Sequence, residues 1–409
     1  MRHVASREEI CNMANSLSSF TRDLRLAIVI LFCGALSGIN IAKLAPTITT
    51  LAAEFDLSLA QIGTLASIFT IIMVAAGSFV GGFVHGVGAK RVLLTALLVA
   101  CFGNFVSLLG GSMITLFIGR AIEGVSLIAL TLTAPTILAQ HTALAHRGWV
   151  MGIWGGFMPF GCALAIISAP YLIELGGWQL VWQAGLVFSI LVCLLGWLFI
   201  PNDFGPIRFN FDIAPLQQAV RLPLLTFIGL SFACHSLVYQ TLIQFTPLIT
   251  QSFVGVTSTE GALITGLFCL VNFFGNLIAG RALQRGRRPE HIIRFIFSIV
   301  PLLLIVITLF NDSSPLLLLL LSLVGLLTGG SAPIFFYLVS RSNQEPKNLP
   351  IFVAWTFQIQ GLGMLIGPAL VGWVVDVTQN WSLGILCLVP ACLAVIVMSG
   401  RLTLPDHHS

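Results

Sequence analysis

From Leu26 to Leu402 the chain is a series of apolar runs, each about twenty residues long and parted from the next by a short polar break. That is the length a helix needs to cross the hydrocarbon of a bilayer. Twelve spans are expected, at 26–50, 59–83, 91–110, 113–139, 149–173, 178–200, 223–251, 261–283, 292–310, 315–340, 350–375 and 381–402. A membrane β-barrel does not fit, because its strands are about ten residues long and alternate in polarity. Charged residues make up 8% of the chain, against about a quarter in soluble domains. Residues 1–25 are polar and lack the short apolar core of a cleaved leader, so the first span is expected to be an uncleaved anchor.

The distribution of charge says more than its sum of +4. With twelve spans, the connections alternate between two sides. Every Lys and Arg except Lys43 and Arg120 falls on one side, and the ions of the other are Glu54, Asp56, Glu174, Glu260, Asp312 and Asp376. This is the positive-inside asymmetry of a multi-pass protein of the cytoplasmic membrane. It predicts an all-α membrane protein with both termini cytoplasmic. The expected layout is a tail at 1–25, a six-helix bundle at 26–200, a connecting loop at 201–222, a second six-helix bundle at 223–402 and a tail at 403–409. Within the loop, "PLQQAVRL" reads equally as an interfacial helix or a plain linker.

The nine cysteines are scattered and form no CxxC pair, which reads as thiols filling helix packing. There is no metal-ligand spacing and no GxxxxGK[ST] loop, so no cofactor, metal, ATP-driven cycle or enzymatic activity is expected. The expected partners are a small-molecule substrate, protons and the lipid bilayer. No nucleic acid is expected, and the chain is read as a monomer.

The two halves echo each other, as transporter repeats do. "GGFVHGVGAKRVLL" between the second and third spans is matched by "AGRALQRGRRPEHII" between the eighth and ninth. Pro135 in the fourth span recurs as Pro333 in the tenth, close to half the chain further on. "GIWGGFMPFG" in the fifth span and "GLGMLIGPALVG" in the eleventh are both Gly-rich with one Pro. Gly in such helices permits close backbone approach and Pro kinks them.

On these residues the chain resembles the major facilitator superfamily over nearly its whole length. That family's loop signature, G-x-x-x-D-R-x-G-R-R, is met by Gly81, Gly88, Lys90 and Arg91, with His85 in the Asp place. In the second half Gly280, Arg285, Arg287 and Arg288 fit, with Gln284 in the Asp place. The fourth-span signature R-x-x-x-G, with an acidic residue before the Gly, matches Arg120, Glu123 and Gly124. "NIAKLAPTITTLAAEFDLSLAQIG" and "RGWVMGIWGGFMPFG" resemble bacterial carriers of the cyanate/nitroimidazole transporter-like subgroup. The resemblance implies two bundles related by an axis along the membrane normal, rocking about a midplane site lined by the first, fourth, seventh and tenth spans. It also implies a gating role for the two signature loops, although both lack the family's Asp. The plain reading of those loop cations is topology anchoring.

An ionisable group inside a span is costly, by about 2.5–3.5 kcal/mol on insertion scales, and normally faces the bundle interior and a partner. Lys43 and Arg120 lie at similar height, roughly 10 Å below the external end at 1.5 Å per residue, on spans that the resemblance makes cavity neighbours. Glu123 shares a face with Arg120. Ser126 and Thr133 continue that face, and Ser37, Asn40 and Lys43 form a matching stripe, so both read as the wall of a water-filled cavity. Two readings stand. In one, Glu123 permanently neutralises the cations and staples the first span to the fourth. In the other, Lys43 and Arg120, with Asn40, attract an anionic substrate, and Glu123 takes up the coupling proton as its partners are drawn away.

Away from the cytoplasmic ends of its spans, where Arg281, Arg294 and Arg401 lie, the second half has no charge within the membrane. Its polar candidates are His235 and Tyr239 on one face of the seventh span, Gln240 and Gln244 on another, Asn272 and Asn276 on the eighth, Tyr337 on the tenth and Gln358 on the eleventh. Of these, His235, Tyr239 and Gln358 are expected to touch substrate, with Trp154 from the first half as a clamp. His235 also reads as an ordinary packing residue or a pH switch, and the two Asn as interhelical hydrogen bonders. The leading expectation is a proton-coupled symporter of a small organic-acid-like anion. The alternative is a proton-antiport exporter of drugs or metabolites.

Overall fold

A computed structural model describes residues 7–57, 59–109, 111–202, 214–310, 312–342 and 349–402. Inside lipid every backbone N–H and C=O must be paired within the segment, so apolar runs of this length fold as helices. The described residues form α1 (Arg7–Ala42), α2 (Ile48–Phe55), α3 (Leu59–Val87), α4 (Ala89–Leu109), α5 (Met113–His141), α6 (Leu144–Gly155), α7 (Phe157–Phe199) and α8 (Ala214–Arg221). They continue with α9 (Pro223–Val254), α10 (Ser258–Gln284), α11 (Pro289–Leu309), α12 (Ser314–Gly329), α13 (Ser331–Arg341), α14 (Leu349–Thr378), α15 (Trp381–Leu386) and α16 (Val389–Ser399). Ten helical stretches among them are long and apolar enough to cross a membrane. The second expected span lies in α3, and α7 holds the sixth and most of the fifth, so the set is consistent with the twelve expected spans.

Several expected spans are broken, and the breaks share one cause. α1 ends at Ala42, α6 at Gly155, α12 at Gly329 and α15 at Leu386. Each of these stands four residues before a proline: Pro46, Pro159, Pro333 and Pro390. A proline has no N–H for the carbonyl four residues back, and its ring crowds that carbonyl. After Ala42 the chain makes a single turn of tighter helix, Ala45–Thr47, before α2 begins. In α7 the fifth and sixth spans are two helices parted by non-helical backbone at Gly176 and Gly177, between the expected spans. Gly177 has φ 70° and ψ −172°, a conformation open in practice only to glycine. The segment expected as either linker or interfacial helix is helical, as α8.

The outer surface is apolar: Ile114, Trp197, Trp373 and Val397 are all well over half exposed. Polar groups are turned inward, the reverse of a soluble protein. Within the first half α7 packs on α1, and Gly161 lies so close to α1 that a Cβ would collide with the carbonyl of Ala35. Within the second half α14 packs on α9, and Gly363 stands in the same relation to the carbonyl of Ala233. The halves meet through α3 against α14 and α7 against α10.

Candidate functional site

The break after Ala42 leaves Lys43 as the first residue beyond the regular helix, with its side chain fully buried in the first half. Its Nζ donates to Asn104 Oδ1 at 2.6 Å, Glu123 Oε1 at 2.7 Å and Asn40 Oδ1 at 3.1 Å. Arg120 Nη1 donates to Glu123 Oε2 at 2.9 Å and to the carbonyl of Asn40. The carboxylate of Glu123 therefore gives one oxygen to each cation. The ring of Trp182, on α7, lies 4.8 Å from Nζ, and the ring of Phe69, on α3, lies 4.8 Å from the Arg120 guanidinium. Arg120 Nε is buried without a hydrogen-bond partner among the described residues. Gly185 on α7 leaves room for the cluster, since a Cβ there would fall 2.8 Å from Asn104 Oδ1.

The structure thus gathers Asn40, Lys43, Arg120 and Glu123, which were expected together. It adds Asn104 and Trp182, which were not. Asn104 is the only amide side chain in α4, and an isolated Asn in an apolar run was the available signal. The polar stripes differ from expectation. Ser126 donates to the carbonyl of Glu123 at 2.7 Å and Thr133 to that of Ala129 at 2.7 Å, so both satisfy their own helix. They and Ser37 are buried, and none faces open water. The ions pair with one another and with amides, which draws the wall shut.

A separate cavity of about 60 Å³ lies where the halves meet. The first half contributes Gly155, Phe157, Met158 and Pro159, and the second half supplies the rest, including His235, Tyr239, Gln240, Asn276, Gln360 and a wall of Phe232, Phe336 and Phe357. Lys43 and Arg120 do not line it. Such a volume holds a few waters, well below the ~300 Å³ at which small-molecule pockets begin. His235 stacks on Tyr239 with centroids 5.7 Å apart. His235 Nδ1, Asn276 Oδ1 and Gln360 Oε1 are buried with no partner among the described residues. Trp154 stacks on the cavity residue Phe157 at 4.2 Å. Gln360 was not anticipated: it donates to Ser236 at 3.0 Å and turns its other end to the chamber.

Gln358, expected at the substrate, is engaged elsewhere. Its Nε2 donates to the carbonyl of Val74 at 2.8 Å and its Oε1 accepts from Ser78, both on α3, so it ties the two halves together. Asn272 donates to the carbonyl of Gly325 at 3.0 Å, the interhelical role expected of it, whereas Asn276 donates to the carbonyl of Asn272 at 3.0 Å, one turn back on its own helix, and makes no such bridge among the described residues.

The signature loops are tight turns, with Gly88 at φ 98° and Gly286 at φ 74°. The packing at Gly81 and the side chain of His85 lie outside what the structure describes. Lys90 is buried and donates to the carbonyls of Trp197 (3.1 Å) and Ile200 (2.6 Å) and to Asn202 Oδ1 (2.7 Å), capping the end of α7. Arg91 Nη1 reaches the carbonyl of Val87 at 3.4 Å. Arg285, Arg287 and Arg288 are exposed, and a Cβ at Gly280 would meet nothing within 4 Å.

Comparison with known proteins bears on this arrangement. A family model described as Major Facilitator Superfamily matches residues 30–349 and 255–409. The uncharacterized transporter YycB of Bacillus subtilis (strain 168) is 20% identical over 358 residues, covering 87% of either chain. The riboflavin transporter RibZ of Clostridioides difficile (strain 630) is 23% identical over 168 residues, 41% of this chain and only 37% of RibZ. Among solved structures, the human organic anion transporter MFSD10 (TETRAN) superposes with a TM-score of 0.77 at 15% identity, over 93% of this chain and 99% of that one, a likeness of fold.

Proposed function

Because this chain belongs to the Major Facilitator Superfamily, and is a multi-pass membrane transporter rather than an enzyme, we propose that it carries a small anionic solute across the cytoplasmic membrane by alternating access, coupled to protons. The observation that carries the anionic reading is the charge count of the buried network. Lys43 and Arg120 share the single carboxylate of Glu123, and one guanidinium N–H is left over. A buried charge without its partner is costly, and an anion arriving from the central chamber would supply the missing one. The two halves would close on the solute between the network and the polar atoms of His235, Asn276 and Gln360. In such a cycle the narrow chamber would belong to a stage with little room around the solute. Glu123, the acid singled out for coupling, serves in this state as counter-ion to both cations.

The second reading, export of drugs or metabolites by proton antiport, is favoured by the aromatic wall of Phe157, Phe232, Phe336 and Phe357. Thermal unfolding of the purified protein in detergent separates the two. A series of carboxylates is expected to raise the midpoint of wild type, and less so that of Arg120→Ala and Arg120→Lys, while quaternary ammonium ions leave it unchanged. Stabilisation by the cations alone would replace the anion reading with the exporter.

A further inference from the structure

The hydrogen-bond geometry of the network fixes its protonation, and from it follows which member can give up a proton. Nζ of Lys43 faces three acceptors: Asn104 Oδ1, Glu123 Oε1 and Asn40 Oδ1. The amide of Asn104 is oriented independently, because its Nδ2 donates to the carbonyl of Ala100 at 2.9 Å and so turns Oδ1 to the lysine. Three acceptors need three N–H bonds, which an ammonium has and a neutral amine lacks. Both oxygens of Glu123 accept from cations, one each, an arrangement that suits a carboxylate. Arg120 is charged at any pH that a cell meets. The only charges acting on Lys43 among the described residues are those of Arg120 and Glu123 on α5; α4 presents Asn104, and α7 presents Trp182 and Gly185.

The sealed network therefore holds one net positive charge. Adding a proton to Glu123 would raise it to two, with both cations unpaired. Removing a proton from Lys43 would lower it to zero and leave Arg120 and Glu123 as a neutral pair. We propose that Lys43 is the group that takes on and releases the coupling proton, while Glu123 stays ionised as the fixed partner of Arg120. The inference rests on the carrier reading for its purpose. On release an N–H bond of Nζ breaks, the electron pair stays on nitrogen, and the proton passes to water at whichever mouth is open. The amine then has two donors for three acceptors. The longest of the three bonds, to Asn40, is the first to be lost, and with it the strap between Lys43, just past the break in α1, and the helix before it.

Trp182 offers a readout that needs no substrate. Its fluorescence, taken as the difference between wild type and Trp182→Phe, is followed from neutral to alkaline pH in the purified full-length protein. A reversible one-proton transition is expected in wild type. It disappears in Lys43→Arg, whose guanidinium keeps its charge, and in Lys43→Met. In Glu123→Gln it persists. In parallel, N-ethylmaleimide labelling of Cys162, resolved by mass spectrometry, is expected to rise several-fold across the same transition in wild type and to stay flat in Lys43→Arg. This thiol is buried and rests on the carbonyl of Gly38 at the α1–α7 contact. A transition that survives in Lys43→Arg, one that is lost only in Glu123→Gln, or none at all would overturn the proposal. If Lys43 titrates as expected but no anion stabilises the protein, the proton site stands and the anionic reading falls.

Discussion

In the first half α7 meets α1 where Gly161 lies against the carbonyl of Ala35. In the second, α14 meets α9 where Gly363 lies against the carbonyl of Ala233. The packing device is the same, and what it encloses is different. The first half holds Lys43, Arg120 and Glu123, all sealed from solvent. Counting on by the interval that relates Pro135 to Pro333, the second half has Leu318 and Leu321 where Arg120 and Glu123 stood. Helix association in lipid relies on small residues and close contact, with no hydrophobic drive between helices. A bundle can therefore assemble without buried ions, and among the described residues the second half does. The ions of the first half are an addition to a scaffold already sufficient, which is the argument for giving them a task.

That contrast can be broken most sharply at Glu123. Glu123→Gln leaves two buried cations without a counter-ion and is expected to cost about 3–5 kcal/mol, read as a large drop in the unfolding midpoint in detergent. If it costs no more than a packing substitution, the halves do not differ electrostatically in any way that matters. Asn104→Leu removes an acceptor from the Lys43 ammonium and is expected to cost about 2–3 kcal/mol; Gly185→Ala, made alone, is expected to be destabilising as well, since a Cβ there presses on the same amide. The shared scaffold is sharpened by a matched pair. Gly161→Val and Gly363→Val each force a helix off its neighbour's backbone, at about 1–3 kcal/mol, and the two losses should agree. The smallest effect belongs to the neutral half: Asn272→Leu removes the bond to the Gly325 carbonyl and should cost about 0.6 kcal/mol, measured in the same melts.

Much of this was legible in the sequence because lipid allows so few backbone solutions. Span positions follow from hydropathy, and the pairing of Lys43 with Glu123 follows from two helices with ions at one depth. What was not legible came from contacts across helices that no periodicity records. Asn104 and Trp182 reach Lys43 from α4 and α7. Gln360 rather than Gln358 faces the chamber, although both lie on α14. The breaks after Ala42, Gly155, Gly329 and Leu386 were readable, since a proline follows each at the same distance. Other prolines, such as Pro170 and Pro301, sit inside continuous helices, so the residue alone does not tell which carbonyls find another partner.

Gln358 has a consequence of another kind. Its amide spends both ends on α3, a donor to Val74 and an acceptor to Ser78. It stands nine residues into α14, roughly 14 Å along it at 1.5 Å per residue. When two bodies swing about a common axis, a point on the axis hardly travels, while points at the rims sweep through the whole displacement. If the bundles rock as proposed and this tie lies near the axis, it would act as a pivot pin, holding them in register with little lever arm to resist their turning.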